Sequence, residues 1–593
     1  MARNKYDVDE ELDAPFNRQH VKRLMGYIQP YRKKMLLTVV IMLISSVVGM
    51  SVPYLLSVGI DVFIPEKNVG GLVLLSALIL LTLIVTGVCL KYRLVLMSDV
   101  GQSIIRDIRS DVFRKLQKLP FEYYDSRPHG KILVRVVNYV NSLSDLLSNG
   151  LINMITDLFT LFVIIGYMLF LDPTLTLVSL AGLPPLILAI FMVKGIQRRR
   201  TQAVSRKQSN LNAYIHESIC GIKVTQSFAR EEENFKVFKA LGTEYRKTWM
   251  AYVRSIFIMW PIIDNISVWA VSLVYVAGIS LMGTGASVGV LIAFVGYIWR
   301  FWTPIMNLGN FYNALINSMA YLERIFETID EVPKVDNLPE ATAMPPIQGK
   351  VQFSDVTFSY DDGHPILKKV NFTVDKGQTV ALVGPTGAGK TTVVNLLSRF
   401  YNVETGQVLI DDTDISQVTL ESLRKQMGIM LQDTFIFSGS IMDNIRYSRL
   451  DATDEEVIAA AKAVCAHEFI SSLKEGYHTE VNERGTRLSV GQRQLISFAR
   501  SLLADPRILI LDEATSSIDT KTELALQQGL ETLLKGRTSF VIAHRLSTIK
   551  NASVIFYIDR GRIIESGTHE ELMEKRGAYF NLYTAQYSFL EAV

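Results

Sequence analysis

The run Gly384-Pro385-Thr386-Gly387-Ala388-Gly389-Lys390-Thr391 has the spacing G-x-x-x-x-G-K-[ST] of a loop that holds phosphate. It follows an apolar run, Thr379–Val383, that reads as a strand, and it precedes Thr392–Phe400, which reads as a helix. The chemistry requires that context. Glycines let backbone N–H groups close on phosphate oxygens, and the first amides of the helix, beginning with Thr392, add their partial positive charge. Lys390 is placed to neutralise the β- and γ-phosphates and Thr391 to hold Mg²⁺, so the expected reaction is ATP hydrolysis. A second apolar run, Ile508–Leu511, ends in Asp512-Glu513. Buried strands deliver carboxylates to the loop edge of an α/β sheet, where Asp512 suits the Mg²⁺ shell and Glu513 suits a base that orients the attacking water. Two acids at the end of a strand say little alone; beside a phosphate loop they are specific.

A soluble α/β domain must position these groups, and from about Gly349 onward β-branched runs alternate with amphipathic helical patterns. The first half is different. Up to about Ile329 it carries six long apolar segments, roughly Met35–Ile64, Leu72–Leu90, Leu151–Leu171, Leu175–Val193, Ile256–Met282 and Val288–Leu308, which reach the ~20-residue length that spans a bilayer. The stretch between the halves is rich in proline and acids and has no period. The expected organisation is therefore residues 1–330 as a transmembrane domain, 331–348 as a linker and 349–593 as a nucleotide-binding domain. In 593 residues the net charge is only +3 and mean hydropathy is +0.22, which excludes a nucleic-acid binder and fits membrane content. Three scattered cysteines, Cys89, Cys220 and Cys465, imply neither a disulfide framework nor a catalytic thiol. A stretch of more than thirty residues, rich in polar and charged side chains, precedes the first span, so it does not read as a cleavable signal.

Loop charge sets the orientation. Pro65–Gly71, Asp172–Thr174 and Gly283–Ser287 are short and almost without Lys or Arg, whereas Lys91–Gly150 and Lys194–Ser255 are rich in them and are expected in the cytosol with both termini. The two long loops keep a helical period and then break, at Leu119–Asp125 and at Cys220–Phe228. Each break is either a plain helix hairpin or a short transverse helix that docks on the soluble domain. Asp157, Asp264 and Arg300, the last between Trp299 and Trp302, fall inside spans. Charge at that depth is costly, so these residues either line a substrate path or face a wet vestibule and pair structurally.

Between the two catalytic strands lies Leu488-Ser489-Val490-Gly491-Gln492, which resembles the signature of ATP-binding cassette proteins. Other markers follow in family order: Tyr360 where an aromatic stacks on adenine, Gln432 in Leu431-Gln432-Asp433 as the Q-loop, Ser516–Asp519 as the D-loop and His544 as the switch histidine. Thr479–Gly485 resembles the exporter segment that contacts the membrane domain, and the two loop breaks resemble coupling helices. The resemblance implies an exporter-type half-transporter: an α-helical six-span transmembrane domain of type IV fold plus an α/β P-loop ATP-binding cassette domain. It implies ATP and Mg²⁺ as cofactors, with Glu513, His544 and Gln432 catalytic, and Thr391, Gln432 and Asp512 around the metal. ATP on Lys390 and Thr391 of one chain would be capped by Ser489, Val490, Gly491 and Gln492 of another.

Val490 departs from the pattern, which has glycine there. An intact catalytic set with an altered signature resembles the active half of an asymmetric heterodimer, with a homodimer as the alternative. The expected function is ATP-driven export of small amphipathic compounds, drugs or lipids, across a bacterial plasma membrane. An ATP-gated channel on the same fold is the competing class, disfavoured because gating alone does not need a complete hydrolytic set.

Overall fold

The computed structural model describes residues 18–127, 129–145, 150–281, 287–360, 363–430, 434–482, 485–512, 520–543 and 549–587. By its internal contacts the chain forms two units, Met1–Gln117 with His129–Glu331, and Lys118–Pro128 with Val332–Val593.

The first unit is helical throughout, as apolar segments must be where lipid offers the backbone no hydrogen bonds. In order it contains α1 Arg18–Ile28, α2 Arg32–Val58, α3 Val69–Leu116, α5 His129–Val134, α6 Val140–Asp145, α7 Leu151–Leu171, α8 Pro173–Leu180, α9 Leu183–Cys220, α10 Ile222–Ser227, α11 Glu231–Phe257, α12 Met259–Leu281 and α13 Val288–Asp330; α4, Phe121–Asp125, belongs to the second unit. With 48 residues, α3 is about 70 Å long, more than twice the ~30 Å hydrocarbon thickness. Both loop breaks are short helices, α4 and α10, rather than plain hairpins.

Five helical stretches among the described residues are long and apolar enough to cross a membrane. The fourth expected span, Leu175–Val193, is instead interrupted at Ala181-Gly182 between α8 and α9. Pro184 and Pro185 have no N–H, so the carbonyls of Leu180 and Ala181 lose their helical donors and the helix breaks there. Asp172 starts α8 by accepting the N–H groups of Thr174 and Leu175, at 2.8 and 3.0 Å.

Pro53 lies inside α2 and likewise frees the carbonyl of Gly49. Here the vacancy is filled. Arg300 Nη1 on α13 donates to Gly49 O at 2.7 Å, Tyr297 Oη donates to Met50 O at 2.9 Å, and Gly296 leaves room for the Pro53 ring. Arg300 is therefore engaged structurally. Asp157 is near Asn307, whose Nδ2 is 3.5 Å from Oδ1, and Asp264 is exposed. At the other end of the unit, Tyr27 and Tyr31 donate to Asp111 and Asp107 at 2.9 and 2.7 Å, and Arg23 pairs with Asp330, the last residue of α13. These bonds bind α1 and the turn after it to α3 and α13.

The second unit contains strands β1 Val351–Phe358, β2 Leu367–Val374, β3 Thr379–Val383, β4 Thr405–Ile410, β5 Thr413–Asp414, β6 Met427–Met430, β7 Gly439–Ser440, β8 Glu480–Val481, β9 Ile508–Asp512, β10 Thr538–Ile542, β11 Val554–Asp559 and β12 Arg562–Gly567. Its main sheet has the order β12-β11-β3-β10-β9-β6, parallel except for the β12 edge, and a four-stranded antiparallel sheet has the order β2-β1-β4-β5. Period-two alternation assigns each strand to two cores. Ala381, Val383, Leu509, Leu511 and Val541 enter one, while Val380, Leu382, Ile508, Ile510 and Phe540 enter the other. Burial on both faces explains why these strands read as continuous apolar runs.

Candidate functional site

β3 is the central strand that launches the phosphate loop, and the helix after it, α14, runs Lys390–Leu397. It begins two residues earlier than the sequence period suggests and ends three earlier, because Arg399 turns into the left-handed region (φ 48°). Gly384, Gly387 and Gly389 have φ of 149°, 79° and 108°. Residues with a Cβ avoid these values, and a Cβ on Gly384 would overlap the carbonyl of Ile558. The loop rim Pro385, Thr386 and Gly387 is exposed while Ala388 and Gly389 are buried beneath it. Gly389 caps α14 without a side chain, so the first-turn amides of Lys390, Thr391 and Thr392 keep their donors for an anion.

Lys390 Nζ donates to the loop carbonyls of Gly384 and Pro385, at 2.7 and 2.9 Å, which fixes its ammonium over the loop with one donor left. Burial lowers its pKa from the ordinary lysine range, and the carboxylate of Asp512 opposes that shift. Asp512, at the end of β9 two strands from β3, is thus brought to the same edge as the lysine. A hydroxyl, Thr391, and a carboxylate, Asp512, are oxygen donors of the kind Mg²⁺ takes. Among the described residues no group of three or more His, Cys, Asp or Glu is arranged to hold a metal ion.

Tyr360 is half exposed and stands over the same helix. Its hydroxyl meets Thr392 Oγ1 at 3.2 Å and accepts from Asn395 Nδ2 at 3.2 Å, which leaves a ring face for a base. Gln432, Glu513 and His544, with the D-loop Ser516–Asp519, lie outside the described residues.

The signature sits at the start of an amphipathic helix, Val490–Leu503, with Ser489 as its cap. Ser489 Oγ accepts the Gln492 N–H at 3.2 Å, and Gln492 Oε1 accepts the Ser489 N–H at 2.9 Å. Since the hydroxyl oxygen is used as an acceptor, its proton is free to donate outward. Ser489 and Val490 are exposed, and Gly491 is buried against the core.

The chain after α14 meets α4, the helix of the first loop break, through residues that no motif marks. Phe121 stacks on Phe400 at 5.1 Å, Tyr401 Oη donates to Asp125 Oδ2 at 2.8 Å, and Lys334 pairs with Glu122 at 2.6 Å. The buried Arg399 donates to the carbonyls of Val418 and Asp336, holding the start of the linker to the same place. By contrast Ile222, Val224 and Phe228 on and after α10 are exposed.

A family model described as the ABC transporter transmembrane region matches residues 35–304, and one described as ABC transporter matches residues 367–516. The chain belongs to the ABC transporter family, as an exporter-type half-transporter with ATPase-coupled transport. It is 44% identical to the ABC transporter ATP-binding protein YknV of Bacillus subtilis strain 168 over 99% of this chain and 98% of that protein. It is 34% identical to an ATP-dependent lipid A-core flippase of Syntrophus aciditrophicus strain SB, over 95% of this chain and 94% of the flippase. A solved structure of a bacterial Atm1-family ABC exporter with ATP bound superposes with a TM-score of 0.80 at 28% identity, covering 94% of this chain and 98% of that one.

Proposed function

We propose that this chain is the hydrolytically competent half of a dimeric exporter that moves amphipathic compounds of the drug or lipid class by alternating access. The observation that carries this is the signature. Ser489 and Val490 form an exposed helix start whose hydroxyl oxygen accepts within the helix and still has a proton to donate, and a second chain's nucleotide is the partner such a site suits. The phosphate loop and Lys390 would hold ATP, Tyr360 would stack on its base, and Thr391, Asp512 and Gln432 would hold Mg²⁺, which would neutralise charge on the phosphates. Glu513 orients the attacking water and His544 senses the γ-phosphate. Phosphoryl transfer gains mostly from positioning and charge stabilisation, so a site completed only when two cassettes meet ties hydrolysis to that movement.

Val490 supports a heterodimer, because a β-branched side chain stands where the cap approaches the other chain's nucleotide. The exposed apolar residues around α10 support a second chain as well. Relatives named as putative multidrug export proteins and as a lipid A-core flippase support the substrate class. The loop charges support a plasma-membrane protein with both termini and the cassette in the cytosol.

Two measurements test the proposal. In inside-out vesicles the assembled transporter should accumulate substrate only with hydrolysable ATP, and Glu513→Gln should abolish it; downhill flux alone would indicate a channel. The purified single chain should hydrolyse ATP poorly. Robust, cooperative, transport-coupled hydrolysis by this chain alone refutes the heterodimer.

A further inference from the structure

Tyr401 occupies a position no motif marks. Its ring is buried and packs edge-on against Tyr360 at 5.0 Å and 86°, and against Phe358 at 5.6 Å. Its hydroxyl is the donor to Asp125 on α4. Tyr360 is in turn fixed to the phosphate-loop helix through Thr392 and Asn395. One tyrosine therefore touches the proposed base-stacking ring on one side and a helix of the loop between two membrane spans on the other.

We propose that Tyr401 is a positioning residue that passes occupancy of the base site at Tyr360 to the helix Phe121–Asp125. This rests on the reading of Tyr360 as the adenine platform. A base stacked on Tyr360 restrains that ring, and an edge-on neighbour in a close-packed interior has no slack to absorb the change. Tyr401 must then keep or shift the geometry of its bond to Asp125. That bond has a charged acceptor and is among the stronger hydrogen bonds a side chain makes. Burial first, and then the Asp125 carboxylate, hold the Tyr401 phenol far above its ordinary pKa, so it stays a donor throughout the physiological range. Phe400 on Phe121 and Lys334 on Glu122 grip the helix without touching Tyr360, and Tyr401 alone among these contacts joins both ends.

The test is hydrogen exchange of residues 118–128 in the full chain in lipid nanodiscs, with and without Mg²⁺ and a non-hydrolysable ATP analogue. In the wild type the analogue should slow exchange in this segment by about tenfold, the scale of one charge-assisted hydrogen bond. Tyr401→Phe keeps the ring and loses the hydroxyl. It should bind the analogue within about twofold of wild type yet lose most of that nucleotide-dependent protection. Asp125→Ala should behave in the same way, and the double variant should lose no more than either single one. Full protection in Tyr401→Phe overturns the proposal. So does a loss that is equal with and without nucleotide, which would make the tyrosine a static fastener, or an absence of any nucleotide effect in the wild type. If Tyr360→Ala leaves analogue affinity unchanged, the adenine reading fails on its own, independently of what Tyr401→Phe does.

Discussion

Replacing Ser489 separates its two roles and bears on the dimer. As a cap it contributes through one bond of 3.2 Å at an exposed helix start, with Gln492 reciprocating at 2.9 Å. Ser489→Ala should cost about 1 kcal/mol and Ser489→Gly only a few tenths. In a domain of this size 1 kcal/mol lowers the melting temperature by roughly 2–4 °C, resolvable by differential scanning of the full chain. As a donor to a γ-phosphate the same hydroxyl would contribute about 1.5–3 kcal/mol, or roughly 10- to 150-fold in rate. Both substitutions remove the donor, so catalytic loss should be equal in the two while stability loss is not. The assembly decides where that loss appears. In a homodimer every hydrolytic site is capped by a Ser489, and Ser489→Gly should lower ATPase by the full factor. In the favoured heterodimer this signature caps the partner's site, and hydrolysis at the phosphate loop of this chain should stay within about twofold of wild type. A loss of tenfold or more in Ser489→Gly with an unchanged melting temperature refutes the heterodimer. Equal melting losses for Ala and Gly refute the capping argument.

Gly384→Ala forces a Cβ into the Ile558 carbonyl in left-handed backbone, so nucleotide binding by fluorescence titration should fall at least about tenfold. Arg399→Met leaves the buried carbonyl of Val418 without its donor, along with the more open one of Asp336, and should cost about 1–3 kcal/mol in a denaturant titration. Asp172→Ala removes the acceptor at the start of α8 and should cost about 1 kcal/mol, seen as a lower melting temperature in detergent. Thr453 caps the helix Asp454–Ala463, and the Glu456 carboxylate accepts the Thr453 backbone N–H, a bond that holds this carboxyl below the ordinary range. Its contribution is therefore present above the unfolded pKa, near 4.5, and lost as pH falls below it, so Glu456→Gln should narrow the difference in melting temperature between pH 7 and pH 4.

What the sequence disclosed was contiguous. The phosphate loop, the strand ending in Asp512 and the signature each state their chemistry within a few residues, because glycine spacing and strand periodicity are local constraints. The start of α14 was displaced, since Gly389 caps a helix that begins two residues before its apolar period does. The break in the fourth span was written in Pro184-Pro185, yet hydropathy averages over two prolines in an apolar run. Tyr401 was illegible: its partner Asp125 lies 276 positions away, and a tyrosine after a helix carries no signal until the fold brings α4 to it. Arg300 was noticed for its cost, but its partner 251 positions distant is a backbone carbonyl, which every residue has.

That carbonyl is free only because Pro53 cannot donate to it. The proline and the arginine are therefore one decision made at two places in the gene. A chain that regains a backbone N–H at 53 re-forms the α2 bond and leaves the guanidinium without its acceptor; a chain that loses Arg300 leaves the Gly49 carbonyl without a donor. Either step alone passes through a less stable ancestor, so among descendants of this transporter the two positions should be gained and lost together, although they never share a stretch of sequence.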